Sequence, residues 1–320
     1  MKAIVYRTYG SPNVLHVEET ATPTPTDDQV LIRVRAASVN PYDWHFMRGS
    51  PYIMRMRSGL TRPKDLRVGV DVAGVVERVG SKVTRFKSGD AVLGGCRGAF
   101  AEYACAADTS IVAKPANVTF EQAATVAVAG YTALQGLRDQ GKIQRGHNVL
   151  VNGASGGVGT FAVQIAKSFG ARVTGVCSTR NLDLVHSLGA DRVIDYTRED
   201  FTRRGECYDV VFDIGADRSS ADCERVLTPN GKLVLVGAPK RLGALLGRIL
   251  GALVMRRRRG GRIMLSARAR QEDLVALKEF AEAGKLSPVI DRTYPLREVP
   301  EAFRYFATGR IGGKIVISVA

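Results

Sequence analysis

Residues 152–159, Asn-Gly-Ala-Ser-Gly-Gly-Val-Gly, carry the spacing of an anion-binding turn and follow the apolar run Val149-Leu150-Val151. Ala154-x-Gly156-x-x-Gly159 fits the dinucleotide fingerprint, with alanine in place of its first glycine. Ala154 allows a tight turn, Gly156 lets backbone N–H groups approach a pyrophosphate, and Gly159 lets a helix pack closely on a strand. The expected cofactor-binding stretch is therefore Ala154, Ser155, Gly156, Gly157, Val158 and Gly159. Alone, the pattern is only a glycine-rich turn; a strand before it and a helix after it make it a phosphate site, because the helix start offers unpaired N–H donors. About 20 residues further on, where an NAD enzyme places Asp or Glu for the ribose hydroxyl, stands Cys177-Ser178-Thr179-Arg180-Asn181. Ser178 and Arg180 suit a 2′-phosphate instead, since guanidinium is a forked, permanently charged donor. NADPH is the expected cofactor; the alternative is that Arg180 is a solvated loop residue.

The surrounding pattern must position this turn. From about 120 onward, short apolar runs alternate with helical stretches. Strands are predicted at 148–151, 172–176, 192–194, 209–212 and 232–236, and helices over 157–169 and 182–188. Near-continuous apolar strands separated by helices indicate a buried parallel sheet. Before 120 the chain reads as β-rich, with strands at 3–6, 29–34 and 73–79 and turn residues between them. Thr119 is the predicted N-cap of the first helical stretch. After 265 come helices over 271–283 and 301–307 and a last strand over 314–319. The fold expected is α/β, a Rossmann doubly wound parallel sheet inserted into a discontinuous β-rich domain. The expected parts are 1–121 and 266–320 for the β-rich domain and 122–265 for the nucleotide domain.

Whole-chain properties narrow the classes. With 320 residues, two domains are expected. The net charge is +15 and the mean hydropathy −0.04; the charge suits nucleic acid, an anionic membrane or an anionic cofactor, or simply a solvated basic surface. Five cysteines without a CxxC signal neither a disulfide framework nor a zinc knuckle. The start, MKAIVYRTYG, reads as a strand entering a turn and lacks a signal peptide's apolar core. No apolar run is long enough for a membrane span. A reducing, cytoplasmic location is expected.

Several further motifs stand in a familiar order: Ala37-Ser38-Val39-Asn40-Pro41-Tyr42-Asp43, Gly69-Val70-Asp71-Val72-Ala73-Gly74, Val128-Ala129-Gly130-Tyr131-Thr132-Ala133-Leu134, Leu188-Gly189-Ala190-Asp191 with Asp195-Tyr196, and Gly312-Gly313-Lys314. Together with the phosphate turn, these resemble the medium-chain dehydrogenase/reductase superfamily, in its zinc-free quinone oxidoreductase-like branch. The likeness runs over essentially the whole chain and implies a chaperonin-10-like catalytic domain, built from both chain ends, around a Rossmann core. It implies Asn40 near the nicotinamide, and Thr132, Ser178, Arg180, Tyr196, Gly237 and Lys314 as cofactor contacts. Lys314 has a plainer alternative, an edge lysine capping the last strand.

The departures from the zinc alcohol dehydrogenases are as informative. That branch keeps a Cys where this chain has Asn40 and a Gly-His-Glu segment at Gly69-Val70-Asp71. Its second zinc takes four closely spaced cysteines where only Cys96 and Cys105 stand here. No metal is expected. Without a Lewis acid a simple alcohol is a poor substrate, whereas a quinone or α,β-unsaturated carbonyl spreads the charge brought by hydride over a conjugated system. Asn40, Tyr42, Asp43 and Tyr52 are the expected catalytic residues, with Tyr52 a candidate proton donor. Asn40 could equally be a turn residue before Pro41, and Tyr42 ordinary packing.

Residues 240–262 combine Leu242, Leu245, Leu246, Ile249, Leu250 and Leu253 at helical spacing with the run Arg256 to Arg259. A lid helix over the active-site cleft is the expectation; the alternative is an amphipathic contact with a membrane surface. A homodimer is expected, and nucleic acid is not the favoured partner. Two other functions stay open: a nucleotide-binding, non-enzymatic protein whose basic surface holds RNA or an acidic partner, and an NADP-dependent alcohol or aldehyde dehydrogenase.

Overall fold

The computed structural model describes residues 1–215, 218–237 and 261–319. It forms two units: Met1–Val128 with Ala269–Gly284 and Pro288–Ala320, and Ala129–Arg268 with Lys285–Ser287. The first unit opens with β1 (Lys2–Val5), β2 (His16–Glu19), β3 (Gln29–Ser38), α1 (Pro41–Arg48), α2 (Arg55–Ser58), β4 (Asp71–Val79), β5 (Ala91–Gly95), β6 (Tyr103–Ala107), β7 (Ile111–Ala113) and α3 (Phe120–Ala123). Next come α4 (Val126–Leu134), β8 (Asn148–Asn152), α5 (Gly157–Ser168), β9 (Arg172–Cys177), α6 (Leu182–Ser187), β10 (Arg192–Asp195), β11 (Tyr208–Asp213), α7 (Ser220–Arg225), β12 (Leu227–Val236) and β13 (Arg262–Leu265). The chain ends with α8 (Gln271–Glu282), β14 (Ile290–Pro295), α9 (Val299–Ala307) and β15 (Lys314–Ser318).

In the first unit, the sheet order is β14-β15-β3-β4-β5-β7, with β6 also paired to β3. β3 is central because both its faces are apolar over most of its length: Val30, Ile32, Val34 and Ala37 join Val72, Val76, Phe100, Phe303, Ile315 and Ile317 in one buried cluster. Its last residue, Ser38, pairs with Asp71 of β4 and with Val316 of β15. That register brings the ends of three strands distant in sequence to one place. Thr119 caps α3 as its side-chain type predicts: its Oγ1 accepts from Gln122 N at 3.2 Å, and Gln122 Oε1 accepts from Thr119 N at 3.0 Å.

The second unit is a parallel sheet in the order β10-β9-β8-β11-β12-β13. Val149, Leu150, Val151, Val210, Val211 and Phe212 are all wholly buried, as expected of strands covered on both faces. The order runs outward in both directions from β8 and β11, so the carboxyl ends of these two strands frame the switch point where such sheets bind ligands. β13 was not legible as a strand. Arg262, the end of the segment read as a helical insert, is its first residue and pairs with Leu233, while Glu224 takes up its guanidinium at 2.6 Å. The rest of the lid or membrane expectation, 240–260, lies outside the described residues. None of the five cysteines is in a disulfide; Cys177 and Cys223 are buried and Cys207 is exposed. Among the described residues, no helix is long and apolar enough to cross a membrane.

Candidate active site

In the second unit, the turn from β8 to α5 is shaped by contacts that exclude side chains. Gly153 has φ +86°, and a Cβ on Gly159 would lie 2.1 Å from the Gly153 carbonyl oxygen. Glycine at both positions lets the helix start directly above the strand end. Gly156, at the N-cap of α5, contributes no capping side chain. The first-turn N–H groups of Gly157, Val158 and Gly159 thus form an uncapped, positive helix end of the kind that takes a phosphate. Ala154 is wholly buried, and Ser155 Oγ accepts from Asn181 Nδ2 at 2.9 Å. That bond ties the phosphate turn to the loop after β9.

The loop after β9 carries two of the remaining nucleotide candidates, Ser178 and Arg180; the others lie after β10, after β12 and on α4. Ser178 precedes the short turn Thr179–Asn181, and Arg180 is exposed. Tyr196, 46% exposed, donates its N–H to Cys177 O at 3.0 Å. Asp195 is the nearby acid, and it is already committed. It accepts from the Thr179 hydroxyl at 2.6 Å and the Thr197 hydroxyl at 2.7 Å, bonds that hold it below the usual carboxylate range. Gly237 has φ +75° and follows β12 directly, with open space where a Cβ would be. Thr132 lies on α4, partly buried. Deeper in the switch point, Asn152 Nδ2 donates to the wholly buried Asp213 at 2.8 Å. Neither of these two was singled out from sequence.

In the first unit, a set of polar side chains is buried where β3, β4 and β15 end. Asn40 starts α1, and its N–H donates to Asp43 Oδ2 at 2.9 Å, so Asp43 closes the first turn on the chain before it. Asn40 Nδ2 donates to Asp71 Oδ2 at 2.9 Å and to Ser38 O at 3.1 Å. Ser38 Oγ donates to the same carboxylate oxygen at 2.8 Å, and the Val128 N–H reaches Asp71 Oδ1 at 3.0 Å. Lys314 Nζ donates to Asn40 Oδ1 at 2.6 Å, to Val39 O at 3.3 Å and to Asp71 Oδ2 at 3.4 Å. Asn40, Asp43, Asp71 and Lys314 are each at most 4% exposed. Burial, aided by the Asp71 charge, pushes the Asp43 carboxyl up to about 7, and burial pulls the Lys314 ammonium down.

Three expected residues thus come together here: Asn40, Asp43 and Lys314. Asp71, the centre of the cluster, went unrecognised as a functional residue. Its signal was available, because an acid in the apolar run Val70-Asp71-Val72-Ala73 needs a buried partner. Tyr42 and Tyr52, unlike the cluster, are exposed, at 46% and 76%. Tyr42 stacks on Phe46 at 4.3 Å, and Tyr52 lies 4.6 Å from the Arg55 guanidinium, whose other face covers Tyr9 at 4.5 Å. A zinc ion does not fit this site. Among the described residues no group of three His, Cys, Asp or Glu could hold a metal, and the ammonium 2.6 Å from Asn40 Oδ1 would repel a dication.

A parallel sheet with an uncapped glycine-rich turn at its switch point, in a chain that also carries a chaperonin-10-like β-rich unit, is the architecture of a pyridine-nucleotide oxidoreductase. Two family models match the chain: "Alcohol dehydrogenase GroES-like domain" over residues 26–116 and "Zinc-binding dehydrogenase" over 188–317. The tomato 2-methylene-furan-3-one reductase is 36% identical over 99% of this chain and 79% of its own length. The chloroplastic NADPH-dependent alkenal/one oxidoreductase of Arabidopsis thaliana is 35% identical over 99% of this chain and 79% of its own. The quinone oxidoreductase from Coxiella burnetii, a solved structure, is 33% identical with a TM-score of 0.87 and covers 100% of this chain and 99% of its own. The chain belongs to the medium-chain dehydrogenase/reductase superfamily, in its quinone oxidoreductase-like branch.

Proposed function

We propose that this chain is an NADPH-dependent reductase of quinones and α,β-unsaturated carbonyl compounds that works without zinc. The observation carrying it is the second unit's turn: an uncapped helix start above a switch point, with Ser178 and Arg180 and no uncommitted carboxylate where a ribose hydroxyl would be bound. The first-turn amides hold the pyrophosphate, and Arg180 and Ser178 hold the 2′-phosphate. Thr132, Tyr196 and Gly237 complete the nucleotide contacts in this reading. Bound NADPH supplies the hydride. The chain's own part is to orient the acceptor and to stabilise the charge that reaches its oxygen. Asn40 and Asp43 shape the start of α1, and in this reading the Tyr42 and Tyr52 phenols are the candidate neutral donors to that oxygen. A conjugated acceptor suits neutral donors, because its charge is delocalised and needs no metal.

The test is loss of reduced-nicotinamide absorbance with a panel of quinones and enones, for NADPH and NADH, before and after chelation. Turnover with NADPH that survives the chelator supports the reading. Turnover restored only by added zinc overturns it, and so does salt-sensitive RNA binding without any turnover. Five cysteines outside any disulfide suit a reducing compartment, for which the cytoplasm is the proposal. Among the described residues β13 is the last strand of the parallel sheet, and it is the proposed pairing edge of a homodimer; light scattering at two protein concentrations decides it.

A further inference from the structure

Three charged side chains are buried together in the first unit, and their hydrogen bonds are fully accounted for at one of them. A lysine ammonium has three protons and accepts nothing. Those of Lys314 are assigned to three internal acceptors, Asn40 Oδ1, Val39 O and Asp71 Oδ2, and the residue is 4% exposed. No proton is left over for an outside anion. The Asn40 carboxamide is equally committed. Its nitrogen faces two acceptors, Ser38 O and Asp71 Oδ2, while its oxygen faces the ammonium. Turning the amide over would set its oxygen against a carbonyl and a carboxylate and its NH2 against a cation. One orientation is therefore strongly preferred.

We propose that Lys314 and Asp71 are positioning residues: they lock the Asn40 carboxamide and the start of α1 in a single orientation, and Lys314 does this instead of gripping a cofactor phosphate. Asp71 is the hub, because Ser38, Asn40, Lys314 and the Val128 N–H all donate to its carboxylate. Lys314 supplies the buried counter-charge of that carboxylate, 3.4 Å away. Removing either partner alone leaves the other as an uncompensated buried charge, whereas removing both leaves a neutral pair. Asp43 reports on the pair. It is faced by Asp71 from β4, Lys314 from β15, Tyr6 beyond β1 and Cys96 beyond β5. Asp71 pushes its carboxyl up and Lys314 pulls it down, so losing each charge moves it in opposite directions. The kinetic part of the proposal rests on the reductase reading above; the titration part does not.

The experiment compares the full-length wild type with Lys314→Met, Lys314→Arg, Asp71→Asn and the double variant Asp71→Asn/Lys314→Met. NADPH affinity is read by fluorescence titration, and kcat and KM with 1,4-benzoquinone. The pH dependence of the unfolding midpoint is read without substrate. Lys314→Met is expected to lose kcat by about a hundredfold through misplacement of Asn40, with NADPH affinity changed less than about threefold. Lys314→Arg restores part of kcat, and the double variant is more active than Lys314→Met alone. The titration step of Asp43 moves up in Lys314→Met and down in Asp71→Asn. A loss of NADPH affinity of about tenfold or more at unchanged kcat would make Lys314 a phosphate ligand and overturn the proposal. Additive effects in the cycle, or a titration step that moves the same way in both variants, would also overturn it. If Lys314→Met does not fold, Asp71→Asn and the double variant still give the titration shift. Should the wild type oxidise NADPH with no quinone or enone, the reductase reading fails, and the titration shifts decide the positioning alone.

Discussion

In the turn from β8 to α5 the working groups are backbone amides, made accessible by the small residues around them. Around Asn40 they are side chains, drawn from α1 and three strands and set in place by the register of β3 against β4 and β15. The first arrangement excludes a Cβ at Gly159 but is indifferent to charge. The second has room for isosteric changes but no tolerance for a change of charge, because every ionised group in it is dry and paired. One chain thus contains two polar regions with different weaknesses, and each can be broken while the other is kept.

The largest effect is expected at the charge-sensitive region. Asp71→Ala leaves Lys314 buried without its counter-charge and should reduce unfolding stability by about 3–5 kcal/mol in denaturant titration; a loss no greater than that of a surface substitution would show that the cluster is open to water. The same region should give a pH signature. Asp43 has its folded value raised from 3.8 to about 7, so the native state binds its proton more tightly than the unfolded state does. Its contribution therefore favours folding at acid pH and is lost as pH rises from about 4 to about 7. Asp43→Asn should remove that slope, on the order of 4 kcal/mol across the window, as seen in the difference between wild-type and variant denaturation curves.

At the backbone region, Gly159→Ala places a methyl 2.1 Å from the Gly153 carbonyl oxygen, and NADPH affinity should fall about a hundredfold, or ~2.7 kcal/mol. Gly156→Ala meets only ordinary contact at 3.4 Å, so it should leave the fold intact while weakening binding about tenfold through blocked backbone approach. Wild-type affinity in both would mean that the nucleotide does not sit on this turn. Arg180→Ala should reduce the preference for NADPH over NADH by about tenfold, ~1.4 kcal/mol, with NADH affinity unchanged. Smallest is Thr119→Ala, which removes the cap on α3 and should cost about 1 kcal/mol of thermal stability without touching either region.

The contrast also explains what a linear text reveals. The conformation of the β8–α5 turn was legible because its requirements are local: strand, small residues and helix follow one another over a dozen positions, and Gly159 answers a contact within that stretch. The alternation of apolar strands and helices was legible for the same reason. The Asn40 cluster joins residues 38–43, 71, 128 and 314, and only sheet register brings them together. Asn40, Asp43 and Lys314 were picked out by family likeness rather than by any physical signal, and the partners of Lys314 were not foreseen. Asp71 looked like one residue of a motif until its four donors were in view. β13 was hidden because Arg262 closes an arginine-rich stretch, and the demand of Glu224 for a partner is not visible along the chain.

Of the five thiols, Cys207 alone is exposed, just ahead of β11 in the second unit. The single tryptophan of the chain, Trp44, lies on α1 in the first unit, 6.3 Å from Phe303 ring to ring. A maleimide dye would therefore mark the second unit alone, while indole emission reports on the first. The unmutated protein comes equipped with a separate optical reporter for each unit, so unfolding of one can be followed apart from unfolding of the other.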